Sequence, residues 1–431
     1  MNPSAPEPAQ APARPNGGVP WRLAVTRGLL DFAIVTLAGL SVPILMDVFG
    51  AGLAWRTLLQ LGWLYALAFH RVGIRVVGLQ VVPLGTLSIA LLTGTAFAGW
   101  LLYGEGRRLA ARVDGGPVRS ALAGASIAPA YALPFLALTW LVRAHLALLP
   151  LFPNAVRIEG VVWQALVLPF VLAAVAGGAG GLIGALPDRS IPRAALVAGW
   201  KTLLLGLGGA LVALLIVAAV RPAGLATYAR VVGGHGARRA GLLLGHQGLL
   251  APNIALDLLV PSMGGCVGIY GTAASHPVVC PGRLPSVDAV DLLRALDLAG
   301  AGMGPVSFSR PMPPGYRLFV LVPLIATIWG GRVAARPFER SSDRLIAAIG
   351  GGVAFAVLVG VTAWLAGLTV RLATSLTFGA RPVPSFALGL AWGVLGGLLG
   401  AVLPRQTPVP EPALVPELEP EPEPPPKPTS V

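Results

Sequence analysis

The stretch LIAAIGGGVAFAVLVGVTAWLAGLTV, residues 345–370, contains no charged side chain. A helix needs about 20 predominantly apolar residues to cross the hydrocarbon core of a bilayer, so this stretch predicts a transmembrane helix. Seven other segments have a similar apolar character: 28–47, 78–103, 120–142, 161–186, 194–220, 316–334 and 385–403. We therefore expect an all-α, polytopic transmembrane bundle of about eight spans.

The composition supports this class of protein. Of the 431 residues, 55% are hydrophobic and 11% are charged, whereas a soluble domain carries about 25% charged residues. The apolar content also excludes disorder for most of the chain. The formal net charge is +13, but the arginines flank apolar segments and form no patch with stacking aromatics. We therefore expect anionic lipid headgroups as their partners, and no nucleic acid.

Arginine placement predicts the topology. Three short loops, 104–119, 187–193 and 332–344, together hold ten arginines. Positive residues concentrate in cytoplasmic loops, which predicts a protein of the plasma (inner) membrane with both termini in the cytoplasm. Two further apolar segments, 51–70 and 248–271, are too polar or too broken to cross, and we expect them to be interfacial or re-entrant.

Matching motifs predict an internal duplication. GGLIGALPDR (180–189) closes the fourth span and GGLLGAVLPRQ (396–406) closes the eighth, while VVPLG (81–85) resembles LVPLI (321–325). We expect two parallel four-helix repeats related by an axis along the membrane normal. Glycines four residues apart in the fourth and eighth spans predict close helix packing, and these two helices could pack against each other.

The predicted domains follow from these motifs and from the tails. The first repeat covers 23–190, and the second covers 191–403 with a long outer loop at 221–315. Residues 1–22 and the Pro/Glu-rich residues 404–431 are expected to be disordered, because proline-rich segments stay extended.

Polar residues in the apolar body are the candidates for a substrate or ion site. Asn253 and Asp257 lie four apart, just before a Pro-Gly-Gly break, and Arg56 and Gln60 have the same spacing in the first half. The alternative is an interfacial helix whose polar face meets water. Lys201 is a further candidate, although it could also extend to the membrane surface.

Other chemistry is sparse. Asp31 follows Arg27 by four residues, which favours an ion pair near the end of the first span. Cys266 and Cys280 lie in the outer loop and are disulfide candidates, with two free thiols as the alternative. The sequence contains no phosphate-binding, zinc-protease or serine-hydrolase motif, so we expect no enzyme, no cofactor and no metal.

Short motifs resemble those of known membrane proteins. VVPLG with the basic exit GRRLAAR (106–112), and PNIALDLLVPSMGG (252–265), are similar to very hydrophobic multi-pass actinobacterial proteins, namely the streptophobe family and PerM-like proteins associated with cell division. The resemblance implies an uncharacterised envelope protein that acts through membrane protein partners, without catalysis. The alternative is a transporter or permease with its site at the interface between the repeats.

Overall fold

The computed structural model describes residues 18–48, 54–77, 83–142, 144–145, 157–220, 237–271, 275–279, 283–284, 310–311, 314–371 and 375–403. Most of both predicted tails lies outside these residues. The helices are α1 (Trp21–Met46), α2 (Trp55–Ala68), α3 (Leu92–Ala110), α4 (Pro117–Ala125), α5 (Ala128–Leu141), α6 (Val162–Ala185), α7 (Ile191–Val220), α8 (Ala237–Ser262), α9 (Leu321–Ala335), α10 (Ser341–Ala366) and α11 (Pro382–Val402). A 3-10 helix, Pro314–Val320, leads into α9.

Within the described residues, seven helical stretches are long and apolar enough to cross a membrane. They are Trp21–Leu45, Pro117–Leu141, Val162–Ala185, Ile191–Ile216, Arg317–Ala335, Ser341–Ala366 and Pro382–Val402. These stretches correspond to seven of the eight predicted spans and agree with an integral membrane protein. The exception is 78–103, where the chain forms a strand and then α3, whose last turns carry Glu105, Arg107 and Arg108.

The chain also forms a sheet, which corrects the expectation of helices alone, although the protein is mostly helical. The strands are β1 (Ile74–Val77), β2 (Pro83–Ser88), β3 (Ala144–His145), β4 (Arg157–Gly160), β5 (Val267–Gly271), β6 (Ser275–Val279), β9 (Leu368–Arg371) and β10 (Ser375–Ala380), with β7 (Arg283–Leu284) and β8 (Arg310–Pro311) in a separate pair. The eight-stranded sheet has the order β3-β4-β1-β2-β9-β10-β5-β6. Every pairing in it is antiparallel.

The sheet lies at one end of the helix bundle. A single residue separates β4 from α6, β10 from α11, and α10 from β9. We call this the sheet end. The connections α3–α4, α6–α7 and α9–α10 lie at the opposite end and carry the clustered arginines, so we call it the arginine end.

Helix α2 begins at the sheet end and ends inside the bundle. The first residues of α2 line a cavity together with Val142, which follows the last residue of α5 at the sheet end. His70, just after the end of α2, forms a hydrogen bond with Tyr131, which lies within α5 eleven residues before Val142. Helix α8 also ends inside the bundle. The indole N–H of Trp392, ten residues into α11, donates to the carbonyl of Met263, just after α8, at 2.8 Å. After α2 and after α8 the chain returns to the sheet end as a strand, β1 and β5 respectively, so both segments are re-entrant.

Close helix packing depends on glycine. The carbonyl oxygen of Gly124 lies against the Cα of Gly177 on α6, and a methyl group built on Gly397 of α11 would lie 2.9 Å from the carbonyl oxygen of Ala348. Helix α6 packs on α3 and α4, and α11 packs on α9 and α10. The glycine rows therefore pack each helix within its own half, and the alternative that α6 and α11 pack against each other is wrong.

Candidate functional site

Two acidic side chains lie inside the first half of the bundle. Asp31, on α1, is 2% exposed, and Glu105, on α3, is 7% exposed. Two arginines contact the same oxygen of Glu105: Nη1 of Arg27 lies 3.6 Å from Oε1, and Arg108 forms a close ion pair with it. Carboxylates are almost never fully buried unless they are paired, so the burial of Asp31, which has no ion pair among the described residues, is unusual.

One oxygen of each acid has no partner. Oδ2 of Asp31 and Oε2 of Glu105 are buried and form no hydrogen bond. A buried polar atom left unsatisfied costs about 1–3 kcal/mol. The expected ion pair between Arg27 and Asp31 does not form, because Arg27 pairs with Glu105 instead. Asp31 therefore remains as a buried carboxyl beside a paired one, with both arginines engaged by its neighbour.

A histidine and a tyrosine adjoin this pair. Nδ1 of His70 lies 2.8 Å from the carbonyl oxygen of Ala66, and Nε2 lies 2.7 Å from the hydroxyl of Tyr131. Burial lowers the pKa of His70 to about 4, so the imidazole is neutral at pH 7. Because a carbonyl can only accept, Nδ1 carries the proton and Nε2 accepts from Tyr131. Tyr131 lies on α5, which packs against α1, the helix that carries Asp31.

Aromatic rings separate these polar groups from the sheet end. The ring of Phe135, fully buried, packs edge-on against Phe32 at 4.9 Å between centroids and stacks on Trp63 at 5.5 Å. His70 lies on the same ring at 4.6 Å. The acid pair is therefore closed toward the sheet end by an apolar layer and approached from the arginine end by Arg27 and Arg108.

Asn253 and Asp257, predicted as site residues, lie where the two halves meet. Oδ1 of Asn253 accepts from the backbone N–H of Leu92 at 3.1 Å, and Nδ2 donates to the carbonyl of Ala90 at 2.8 Å. Asn253 thus satisfies the start of α3. Asp257 lies near the sheet, where Oδ1 is buried without a hydrogen bond, 3.9 Å from a methyl group built on Gly379.

Arg56 and Lys201 lie elsewhere. Arg56 is exposed and lines a cavity beside α2, and Lys201 is exposed ten residues into α7. Within the described residues, no hydrogen bond or ion pair joins any two of Asn253, Asp257, Arg56 and Lys201.

The structure describes one of the two cysteines of the predicted disulfide, Cys266. Cys266 is disulfide-bonded, and it precedes β5 directly. Cys280 lies outside the described residues, so its pairing with Cys266 stays a prediction. Among the residues that the structure describes, no group of three His, Cys, Asp or Glu side chains could hold a metal ion.

Sequence reasoning missed the acid pair as a unit. It placed the second span at 78–103 and so assigned Glu105 to a loop, whereas α3 runs from Leu92 to Ala110 and buries it. The signal that could have found it is the helical register of α3, because Leu102, Glu105 and Leu109 share one buried face.

Comparisons with known proteins give no relative. No protein-family model, no curated protein and no solved structure matches this chain. The resemblance to actinobacterial membrane proteins stays a prediction.

Proposed function

We propose that this chain is a proton-coupled membrane transporter without enzymatic chemistry, and that Asp31 and Glu105 of its first half carry the proton. The observation that carries the proposal is a pair of buried acids, each with one oxygen that has no hydrogen-bond partner. Ionisable residues inside membrane helices are expensive and mark proton or ion pathways. The proposed site therefore lies inside the first half, and not between the halves.

We also propose that the two halves arose by duplication, since the same elements follow one another in both. Strands β3-β4-β1-β2 and β9-β10-β5-β6 occupy corresponding stretches of one sheet. Arg71 and Gly264 each lie three residues before a corresponding strand, and both have positive φ, 59° and 102°. Gly28 packs on Ala130, and Gly199 packs on Ala354 in the corresponding way.

The duplication proposed here is head to tail. Contacts between the halves join α1, α3 and β2 of the first half to α8, α10 and β9 of the second. A twofold axis would place the same surface of both halves in one contact. We therefore propose parallel repeats joined by two different faces, and not by a twofold axis.

The duplication explains why the acids point to function. Asp31 follows Gly28 by three residues, and Thr202 follows the corresponding Gly199 by three. Glu105 precedes Gly106, which packs on Gly177, and Gly330 precedes Gly331, which packs on Gly397. The second half therefore has Thr202 and Gly330 where the first has its acids.

The second half builds the same packing with little polar chemistry. The hydroxyl of Thr202 donates to the carbonyl of Ala198 at 2.8 Å, so it is satisfied within its own helix. By the same correspondence, Phe355 replaces Tyr131 and Met263 replaces His70. Because this architecture can form without the acids, the energetic cost of burying them in the first half favours a functional role.

The proposal is tested by following protonation directly. The protein is reconstituted in liposomes, and pH-dependent infrared difference spectra report its titrating carboxyl groups while a trapped dye reports proton entry under an imposed gradient. We expect Asp31→Asn and Glu105→Gln each to remove a carboxyl band and to reduce proton entry. Asp188→Asn is the matched control, because the Asp188 side chain is 85% exposed.

The outcome is decisive in both readouts. If the spectra and proton entry of both variants equal those of the wild type while the proteins stay folded, the acids carry no proton and the proposal fails. Thermal unfolding in the same lipid checks folding, since replacing a carboxylate by its amide keeps shape and volume nearly unchanged.

Action through a membrane protein partner is the second candidate. Lys201 is exposed on a helix long enough to span, together with Trp200 and Leu204. A lysine at the centre of a membrane helix costs about 2.5–3.5 kcal/mol on insertion scales, so a partner's acidic side chain could cover it. Photo-crosslinking from position 201 in cells should then yield one defined adduct, and a lipid-facing position should yield none.

A further inference from the structure

We propose that the cavity between α1, α2 and α5 binds a small organic anion with an apolar body. The cavity has a volume of about 360 Å³. Its lining residues are Thr36, Leu40, Trp55, Arg56, Leu59, Gln60, Trp63 and Val142. This volume lies within the range of small-molecule sites, which are mostly apolar with a few placed polar groups.

The charge of the lining selects an anion. Arg56 is the charged member of the lining, which contains no acidic residue. The Arg56 guanidinium has no ion-pair partner among the described residues. A free guanidinium beside an apolar cavity favours a carboxylate or phosphate, whose oxygens it can bind in a bidentate manner.

Two further residues of the lining carry buried polar atoms that have no partner. Trp63 is 4% exposed, and its indole N–H is buried without a hydrogen-bond partner. The hydroxyl of Thr36 is buried and unpartnered as well. An indole N–H can only donate, and it has no acceptor among the described residues. The carboxylate or phosphate of an anionic ligand supplies such acceptors.

The donors are arranged along one helix face. Arg56, Gln60 and Trp63 have the i, i+4, i+7 spacing of a single face of α2, which spans about 10 Å between the first and last Cα atoms. Leu40, Leu59 and Val142 complete the wall. A ligand would therefore place its anionic group near α2 and its apolar body against these side chains.

The corresponding groove of the second half supports a ligand in this cavity. The comparison rests on the duplication proposed above, whereas the description of the lining residues is independent of it. Gln60 precedes Arg71 by eleven residues, as Asn253 precedes Gly264. Asn253 is occupied by the backbone of Ala90 and Leu92. The chain itself thus fills the corresponding groove, and Arg56 of the open groove corresponds to the neutral Leu249.

Direct binding tests the proposal. The probe is 4-(trifluoromethyl)benzoate, followed by fluorine NMR with the protein in nanodiscs, and empty nanodiscs correct for partition into lipid. The neutral amide of the probe tests the charge requirement. We expect Arg56→Gln and Trp63→Phe each to weaken binding by about tenfold or more, as the loss of a buried or charged hydrogen bond does. Arg22→Gln is the matched control, because Arg22 is exposed near the start of α1.

Binding of the amide as tightly as the acid, or equal binding by wild type and Arg56→Gln, would overturn the proposal. So would an absence of binding beyond that of empty nanodiscs. None of these results bears on Asp31 and Glu105, because the assay follows ligand binding and not proton transfer. Failure of this site and failure of the proposed proton carrier are therefore separate results.

Discussion

The guanidinium of Arg71 lies over the ring of Trp364, 4.3 Å from the ring centroid, and joins the two halves of the chain. Its Nη2 also donates to the carbonyl of Gly367 and to the hydroxyl of Thr369, at 3.3 Å each. Arg71 has φ 59°, a conformation that costs a residue other than glycine about 1–2 kcal/mol. The contacts across the halves offset this cost.

Replacing Arg71 separates these two effects. Arg71→Gly relieves the backbone but removes the ring contact and both hydrogen bonds, so we expect a net loss of about 1–2 kcal/mol in the free energy of unfolding. Thermal unfolding in detergent measures it. The control is Arg75→Gln, which removes a partly exposed ion pair with Glu159 at 3.8 Å and should change stability by less than about 1 kcal/mol. A Gly variant more stable than wild type would show that these contacts do not offset the backbone cost.

A methyl group at Gly177 should disrupt the first half. The Cβ of Gly177→Ala would overlap the carbonyl oxygen of Gly124, and backbone cannot move aside as a flexible side chain does. We expect a loss of about 1–3 kcal/mol. Gly104→Ala is the matched control, because open space surrounds that position and alanine favours a helix by about 1 kcal/mol. Equal unfolding midpoints for the two variants would contradict the packing described here.

His70 should make stability depend on acid. Its pKa is about 4 in the folded protein and 6.5 when free. Above pH 6.5 the imidazole is neutral in both states, so His70 adds no pH dependence to stability. Between pH 6.5 and 4 only the unfolded state binds the proton, so stability falls as the pH falls, by about 3 kcal/mol in total. Unfolding of His70→Met across this range should lose that dependence, and an unchanged slope would assign it to other groups.

The cysteine pairing is tested by labelling. If Cys266 and Cys280 are bonded to each other, a polyethylene-glycol maleimide should label the unfolded chain only after reduction, and then at two sites. The loop they would close contributes roughly 3 kcal/mol by the chain-entropy relation, so Cys280→Ser should lower the unfolding temperature. Labelling of both thiols without reductant would exclude the bond.

Orientation is tested by reporter fusions. The arginine end should face the cytoplasm, so fusions after Arg112, Arg193 and Arg336 should all report a cytoplasmic position. A fusion in the connection between β5 and β6 should report the outside. A periplasmic signal at Arg193 would reverse the proposed orientation.

The long helices could be predicted because an apolar run of over twenty residues has few other structures open to it. The sheet could not, for a specific reason. Strand β9, Leu-Thr-Val-Arg, follows α10 after a single glycine, and β2 precedes α3 closely, so the strands extend apolar runs that already read as helix. Pairing between β2 and β9 joins residues almost three hundred positions apart, and no local pattern encodes it.

The polar groups illustrate the same limit. The spacing of Asn253 and Asp257 before a break predicts a site, whereas in the structure Asn253 satisfies backbone groups at the junction. Glu105 was hidden by a span placed too early in the sequence. Its partner Arg27 lies on another helix, as does the neighbouring Asp31, and which acid an arginine reaches depends on how α1 and α3 cross.

The re-entrant course of α2 has a consequence for biogenesis. A helix of 14 residues that carries Arg56 and Gln60 cannot partition into lipid by itself as it leaves the ribosome. The surfaces that receive its end, Tyr131 and Phe135, are synthesised some sixty residues later. Helix α2 must therefore wait at the membrane surface until α5 has been inserted, so insertion order and chain order differ in the first half of this protein.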